Sequence, residues 1–576
     1  VDPNYNGPVW FVDGPASLPY GNGGPGAPFN TISEGVNAAS NGDTLRIFTG
    51  TYLENIDLSG KSIVILGEDR ETTILDGDSS GIVLTLNNLS SSSHIENLTI
   101  QNGSGGVGTS NGAGIYCDGC TASLKNLIVK ENIQDQSGDG SGIFSLGGNL
   151  TIDSVTVRDN GGAYGTVGLV NSNVSINNTN ISNNTVSGNG GGLNASQSDV
   201  LLKNISLNNN DAQNQGGGLF SSASNIQIVN SLITENSSNS YGGGVRLDGG
   251  STLDLSKSII HGNLSNSSGA AFAATNSVAN IHNSTIVNNN LTGLISDGGS
   301  LFFIMSGSHF SFHQSVLSNI QPNIFRYEIF ADSDDISLLF DHSNVEGGQD
   351  SVATSEAIAN HNITLEWNSS WGFDPEFVDT SLADFHLLAS SRLINGGHPD
   401  SIDSDGTRSD IGVYAYLNSY TGPKWYVSES GNDLTATGAS DDPFRSIQAA
   451  LNFGSDDDTA FVSAGTYNEN LVYRLDESES VRNVSLVGES TESTIIDGQG
   501  EGICIKFPMN GYSSPLVKGF TIRNGYANGA MEDYSWNRGG GISINQGYSP
   551  VKLKDLIIDN CNSADDGGGI NSLGSD

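Results

Sequence analysis

The chain has 576 residues, with 75 Gly, a hydrophobic share of 36%, and 22 Lys and Arg against 63 Asp and Glu, a net charge of −41. That balance excludes the cationic face needed to hold nucleic-acid phosphates or to dock on anionic lipid. The Gly follows no collagen period, and no run of about 18 apolar residues is present, so neither a triple helix nor a membrane-spanning helix is expected.

The first expected elements form a cap at about 7–60. The opening Val1-Asp2-Pro3-Asn4 would fit a mature product whose signal peptide is gone, and an extracellular or cell-surface location is expected. Gly7-Pro8-Val9-Trp10-Phe11-Val12 reads as a strand. Pro28-Phe29-Asn30-Thr31-Ile32 then opens a short amphipathic helix with Ile32, Val36 and Ala39 on one face. Such a helix can plug the open end of a solenoid. Gly50-Thr51-Tyr52-Leu53-Glu54-Asn55 ends the first coil.

A repeat follows. A glycine before an apolar residue recurs at Gly114, Gly142, Gly168, Gly192, Gly218 and Gly244, a period of about 25 residues. Each step leads into a short alternating segment such as 200–207 or 226–233. Each unit closes on an asparagine: Asn132, Asn160, Asn184, Asn210, Asn236, Asn263 and Asn289. No segment sustains a 3.6-residue period, so helical repeats are excluded. The fold class read from this pattern is all-β, a right-handed parallel β-helix with coils at about 60–345. Inward residues stack from coil to coil. The closing Asn is expected to take the left-handed turn and to bond the Asn of the next coil.

These coils resemble the pectate-lyase type of parallel β-helix, and the repeated Gly-Gly-Gly-apolar and Asn units resemble those of polymorphic outer-membrane proteins and autotransporter passengers. The opening block resembles the N-terminal cap of pectin methylesterases and related β-helix proteins. Residues 340–348, 373–379, 385–399 and 403–416 form a series that resembles the choice-of-anchor Q domain of secreted and surface-anchored bacterial proteins. Val413 and Ala415 depart from that family's closing segment. The resemblance implies export and a β-helix end at about 340–420, and implies no reaction.

The opening block then recurs. Residues 7–12, 27–39 and 50–55 match 422–427, 442–454 and 465–470, and 66–77 matches 487–498. The expected organisation is therefore two tandem modules, 1–421 and 422–576, the second incomplete. Its last coil, around Gly567–Leu573, would leave strand edges open. Edges of that kind are covered by further modules or by another copy joined head to tail.

The candidate chemistry is sparse. Asp400, Asp403, Asp405 and Asp410 lie in Pro-Asp-Ser-Ile-Asp-Ser-Asp-Gly-Thr-Arg-Ser-Asp, where hard oxygens on a Gly-enabled turn suit Ca²⁺. The alternative is a turn neutralised by Arg408. Asp332, Asp334 and Asp335 form a weaker cluster. Cys117 and Cys120 either pair across a tight turn or stay as thiols at a strand end, while Cys504 and Cys561 are expected to pack singly. Arg246 and Asp248 flank a Leu and recur nowhere else. A lyase of this fold needs Arg or Lys beside clustered Asp, and an esterase needs paired carboxylates in a Gln-Asp-Thr-Leu setting. Neither pattern is present, and the scattered polar residues read as solvated coil faces. The expected function is an extracellular structural or adhesive rod, with other copies or further modules as partners and no assigned catalytic residue. The rival is a carbohydrate-active enzyme or a glycan-binding protein.

Overall fold

The computed structural model describes residues 5–14, 21–89, 93–105, 111–134, 138–292, 301–319, 329–331, 335–352, 363–473, 482–507, 514–528, 531–532, 535–536, 538–544 and 551–572. Internal contacts divide the chain into two units, Val1–Gly372 and Phe373–Asp576. Residues 373–421, read from the sequence as the end of the first module, group with the second unit. No helix among the described residues is long and apolar enough to cross a membrane.

The first unit is a right-handed parallel β-helix. Its strands stack into sheets of 14, 11, 12 and 6 members, and in each the neighbours come from successive coils. The register follows the repeat: Ile143 pairs with Val167, Val167 with Leu193, Leu193 with Leu219 and Leu219 with Val245. All five are fully or almost fully buried. One column of branched apolar residues therefore runs through successive coils, which is the packing that alternate inward residues dictate. Toward its end the core turns aromatic, with Phe272 stacked on Phe302 at 5.0 Å and Phe312 on Phe340 at 4.8 Å.

The closing asparagines form the expected ladder. The Asn132 side-chain amide donates to Asn160 Oδ1 at 3.0 Å, Asn160 to Asn184 at 3.1 Å, and so on through Asn210, Asn236, Asn263 and Asn289. Each accepting oxygen also takes the backbone N–H of the preceding Asn, as Asn236 Oδ1 does from Asn210 at 3.0 Å. All seven residues are buried, so every polar atom spent here replaces one that water cannot reach. The expected left-handed geometry falls elsewhere. Positive φ belongs to the residue before each ladder Asn: Glu131, Asp159, Asn183, Asn209, Glu235, Gly262 and Asn288. The turn and the ladder are separate jobs at adjacent positions, because a left-handed residue points its side chain outward and its successor inward.

Helix α1 (Ile32–Ala38) covers the first coil, closed by a capping box between Thr31 and Glu34. It buries Ile32, Gly35 and Val36 and leaves its other face in solvent. Trp10 anchors the cap by donating its indole N–H to Asp43 at 2.9 Å. The second unit repeats this, with Trp425 donating to Asp458 at 2.8 Å. Its helix α2 (Ile447–Phe453) differs from α1 in being buried on all sides.

Candidate functional site

The 11-stranded sheet turns alternate residues away from the coil core, and the register aligns them in one row: Tyr116, Phe144, Gly168, Asn194, Phe220, Arg246, Ala273 and Phe303, of which Tyr116, Asn194 and Phe220 are half-buried and the others buried. Tyr116 and Phe144 stack at 5.6 Å, and Phe303 stacks on Tyr241 at 5.4 Å, nearly parallel. Two polar centres interrupt the rings.

The first centre is Asp139 with Asn194. The Asn194 amide donates to Asp139 Oδ1 at 2.8 Å, and the Asp139 backbone N–H donates to Asn111 Oδ1 at 2.9 Å. Gly168 makes this possible: a Cβ there would meet Asp139 Cβ at 2.9 Å and Gly140 N at 2.7 Å. The row's one missing side chain is thus the space through which the 138–140 segment crosses the sheet. Burial raises the Asp139 carboxyl above its usual range, and the Asn194 bond opposes that.

The second centre is Arg246. Sequence reasoning placed its polar group on a solvated face, but the residue is only 5% exposed. Its Nε donates to Gln215 Oε1 at 3.1 Å, and its Nη2 reaches Thr275 Oγ1 at 2.8 Å and Asp248 Oδ1 at 3.4 Å. Its Nη1 is buried without a hydrogen-bond partner. Burial pulls the guanidinium below its ordinary value, while Asp248 and Tyr241 push the other way. A buried cation with one unspent donor is a costly arrangement, and such arrangements gather where a protein meets a ligand. The signal available in the sequence was register: Arg246 falls on the same repeat position as Asn194 and Phe220, with Ala273 following.

The 400–410 segment lies in the second unit and acts as a backbone clasp. Asp405 Oδ1 accepts from the Thr407 N–H and hydroxyl, and its Oδ2 accepts from the Asn418 N–H at 2.8 Å. Asp410, almost fully buried, accepts from the N–H groups of Asn395 and Tyr416, both at 2.6 Å. Asp403 Oδ2 accepts from the Asp410 N–H at 2.9 Å, and the Asp400 side chain is 94% exposed. Arg408 donates its Nε to Gly397 O. Burial works against the Asp405 charge, but the N–H donors of Asn418 and Thr407 win and hold its pKa below the usual value. Of the weaker acidic cluster, Asp332 and Asp334 lie outside the described residues.

Cys117 and Cys120 are joined by a disulfide, the first of the two alternatives for that turn. Cys504 and Cys561 do not pack singly: the two thiols are near enough to act on each other's ionisation, and their sulfurs lie against the carbonyls of Arg523 and Ile522.

No family model matches the sequence, and no curated protein matches it. Among solved structures, pectate lyase Pel9A aligns at a TM-score of 0.38 and 18% identity, over 71% of this chain and 96% of its own. A rhamnogalacturonan lyase aligns at 0.34 and 13%, over 70% and 97%. The alginate lyase AlyGC aligns at 0.28 and 13%, over 94% and 77%.

Proposed function

We propose that this chain is an extracellular carbohydrate-binding β-helix whose binding face is the outward row of the 11-stranded sheet. The observation that carries the reading is the composition of that row. Asn194, Phe220 and Arg246 are consecutive members of it, Tyr116 lies farther along, and Tyr241 and Gln215 flank it, one stacked on Phe303 and the other bonded to Arg246; Tyr116, Phe220 and Tyr241 are half-buried. Sugar rings present apolar C–H faces that stack on aromatic rings, and hydroxyls that pair with amides. Arg246 adds a planar cation suited to a carboxylate. A polymer of similar units is matched by a row that repeats at the strand spacing.

Affinity electrophoresis through gels containing neutral and acidic polysaccharides tests the reading. The wild-type chain should be retarded by at least one polymer, and Phe220→Ala with Tyr241→Ala should abolish the retardation while circular dichroism stays unchanged. Free migration through every gel would sink it.

A structural role as part of a multi-module fibre is the second reading. It is favoured by one observation, the docking of residues 373–421 onto the cap of the second unit. Ala389 N–H donates to Asp433 O at 2.7 Å, and Tyr416 packs on Phe453 at 5.4 Å. A segment that receives the following cap is what a chain of modules joined end to end requires. The two readings are compatible, since a rod can carry a binding face.

A further inference from the structure

The repeat that relates the two caps also relates two pairs of residues. Cys504 occupies the position of Val83, at the offset that aligns 66–77 with 487–498. Cys561 follows Asp559-Asn560 as Asn132 follows Lys130-Glu131, which makes it a ladder position. In the first unit Asn132 Oδ1 accepts the Gly103 N–H at 2.8 Å. In the second unit the residue equivalent to Gly103 is Gly525, whose N–H favours the Cys561 thiolate. So the one ladder site in this unit with a thiol in place of an amide faces the one core position where a thiol stands in place of a valine.

Geometry supports the pairing. Cys504 Sγ lies 3.3 Å from Arg523 O, and Cys561 Sγ lies 3.8 Å from Ile522 O, so both sulfurs converge on adjacent peptide units. The glycines around them leave the room. A Cβ at Gly525 would come within 2.8 Å of Cys504 Sγ, and one at Gly541 within 3.3 Å of Cys561 Sγ. A cavity of about 270 Å³ is lined by Gly525, Tyr526, Asn560 and Asn562, so both residues flanking Cys561 border it. Cys504 is buried, whereas Cys561 is partly exposed.

We propose that Cys504 and Cys561 close a disulfide that staples the coils of the second unit, formed by exchange with a low-molecular-weight disulfide such as oxidised glutathione. Cys561 is the attacking sulfur. The neighbouring Cys504 thiol and the Gly525 N–H, against burial, bring its pKa down to about 7. The same interaction between the thiols, with burial, holds Cys504 protonated. The Cys561 thiolate attacks one sulfur of the disulfide, breaks its S–S bond and expels one glutathione thiolate. Cys504 then loses its proton to solvent and attacks the Cys561 sulfur of the mixed disulfide. The Cys504–Cys561 bond forms, and a second glutathione thiolate leaves. Two thiols have been oxidised and one glutathione disulfide reduced to two thiols. The ring so closed spans a long stretch of chain, which raises its effect on the unfolded state.

The test uses the full chain carrying Cys117→Ser and Cys120→Ser, incubated with oxidised glutathione, then denatured and titrated for thiols. The expected result is no titratable thiol, a chain lighter by two hydrogen atoms, and a proteolytic fragment joining 504 to 561. The oxidised form should melt several degrees above the reduced one. Cys504→Ser in that background should stop at the mixed disulfide, with glutathione retained on Cys561. Two titratable thiols after incubation, or glutathione on both, would overturn the proposal. Should the double Ser variant fail to fold, fragment mapping of the oxidised wild-type chain decides the same question.

Discussion

The side-chain amide of Asn452 donates to the carbonyl of Ala389 at 2.9 Å, and also to that of Ser391 at the same distance. Asn452 is fully buried on α2, and its counterpart on α1, Asn37, is exposed. The two helices otherwise differ where it matters. Ala449 replaces Glu34, and Phe453 replaces Ala38, so α2 loses the acidic residue of α1 and carries two amides one turn apart, Gln448 donating to Asn452 Oδ1 at 3.2 Å. The first cap faces water, and the second receives a segment of chain.

Replacing Asn452 with Ala should therefore strip the Ala389 carbonyl of its donor and leave the Ser391 carbonyl with the Ile394 N–H alone, without touching the coils. The expected cost is about 1–3 kcal/mol for the second unit, since one buried acceptor is left unpaired. Amide exchange at residues 389–396 should accelerate more than exchange at 459–462. Equal protection in variant and wild type would show that the clasp holds without the amide.

Asn210→Ala removes one rung of the ladder. It leaves the Asn184 backbone N–H without its acceptor and the Asn184 amide with Val157 O alone, and it removes the side-chain donors to Ile181 O and Asn236 Oδ1, the latter keeping the backbone N–H of residue 210. A loss of about 3 kcal/mol is expected, because several buried groups lose partners at once. Urea unfolding reads it, and a loss under about 1 kcal/mol would mean that neighbouring groups or water refill the rung.

The coil register, the ladder and both caps were legible because each depends on residues close in sequence and repeated along it. Arg246 was not. Its burial depends on Gln215 one coil before it and on Ala273 and Thr275 one coil after it, none of which is remarkable alone. The Asp segment was legible as a cluster, but where its oxygens go was set by the N–H groups of Asn395, Tyr416 and Asn418, outside the motif. The Cys504–Cys561 contact joins a strand start to a ladder site in a later coil, and only the stacking brings the two together.

The clasp at 400–410 predicts its own response. Removing calcium with a chelator should leave the melting temperature unchanged, while Asp410→Ala lowers it whether or not calcium is present. A chelator-induced drop that added calcium reverses, and that Asp403→Ala with Asp405→Ala abolishes, would assign the oxygens to a cation instead.

Acid should act on the two units in opposite senses. In the first unit the rings of His282 and His313 stack at 4.8 Å, and Asp341 accepts from His313 at 3.2 Å and from His342 at 2.8 Å. Burial, then the neighbouring His313 ring, depresses the His282 pKa. Its contribution is full above about pH 6.5 and falls as the unfolded chain takes up the proton first. Burial opposes the Asp341 charge, but the bonds from His342 and His313 prevail and lower its pKa. That contribution is present above about pH 4 and is lost below it. In the second unit burial raises Glu469 to about 7, against the N–H bonds from Ile447 and Gln448. Its contribution is full below about pH 4.3 and is lost as pH rises toward 7. Melting curves from pH 4 to 8 check this. His282→Gln should shrink the drop between pH 7 and 5, and Glu469→Gln should raise the melting temperature at pH 8 but not at pH 4. Flat profiles in both variants would refute the assignment.

On the glycan question, retention is expected without breakdown. Incubation with pectate, alginate and other acidic polymers, with Ca²⁺ present, should yield no new reducing ends and no unsaturated products. Sustained turnover would replace a binding face with an active site.

The stacking of the coils also fixes how the first unit bears load. Hydrogen bonds between coils run along the axis in every sheet, and the ladder adds two more at each step. A pull along that axis must break all the bonds of one step together, whereas a pull across it can peel a single strand at a time. The first unit is therefore expected to be stiff under tension along its axis and to yield more readily from the side.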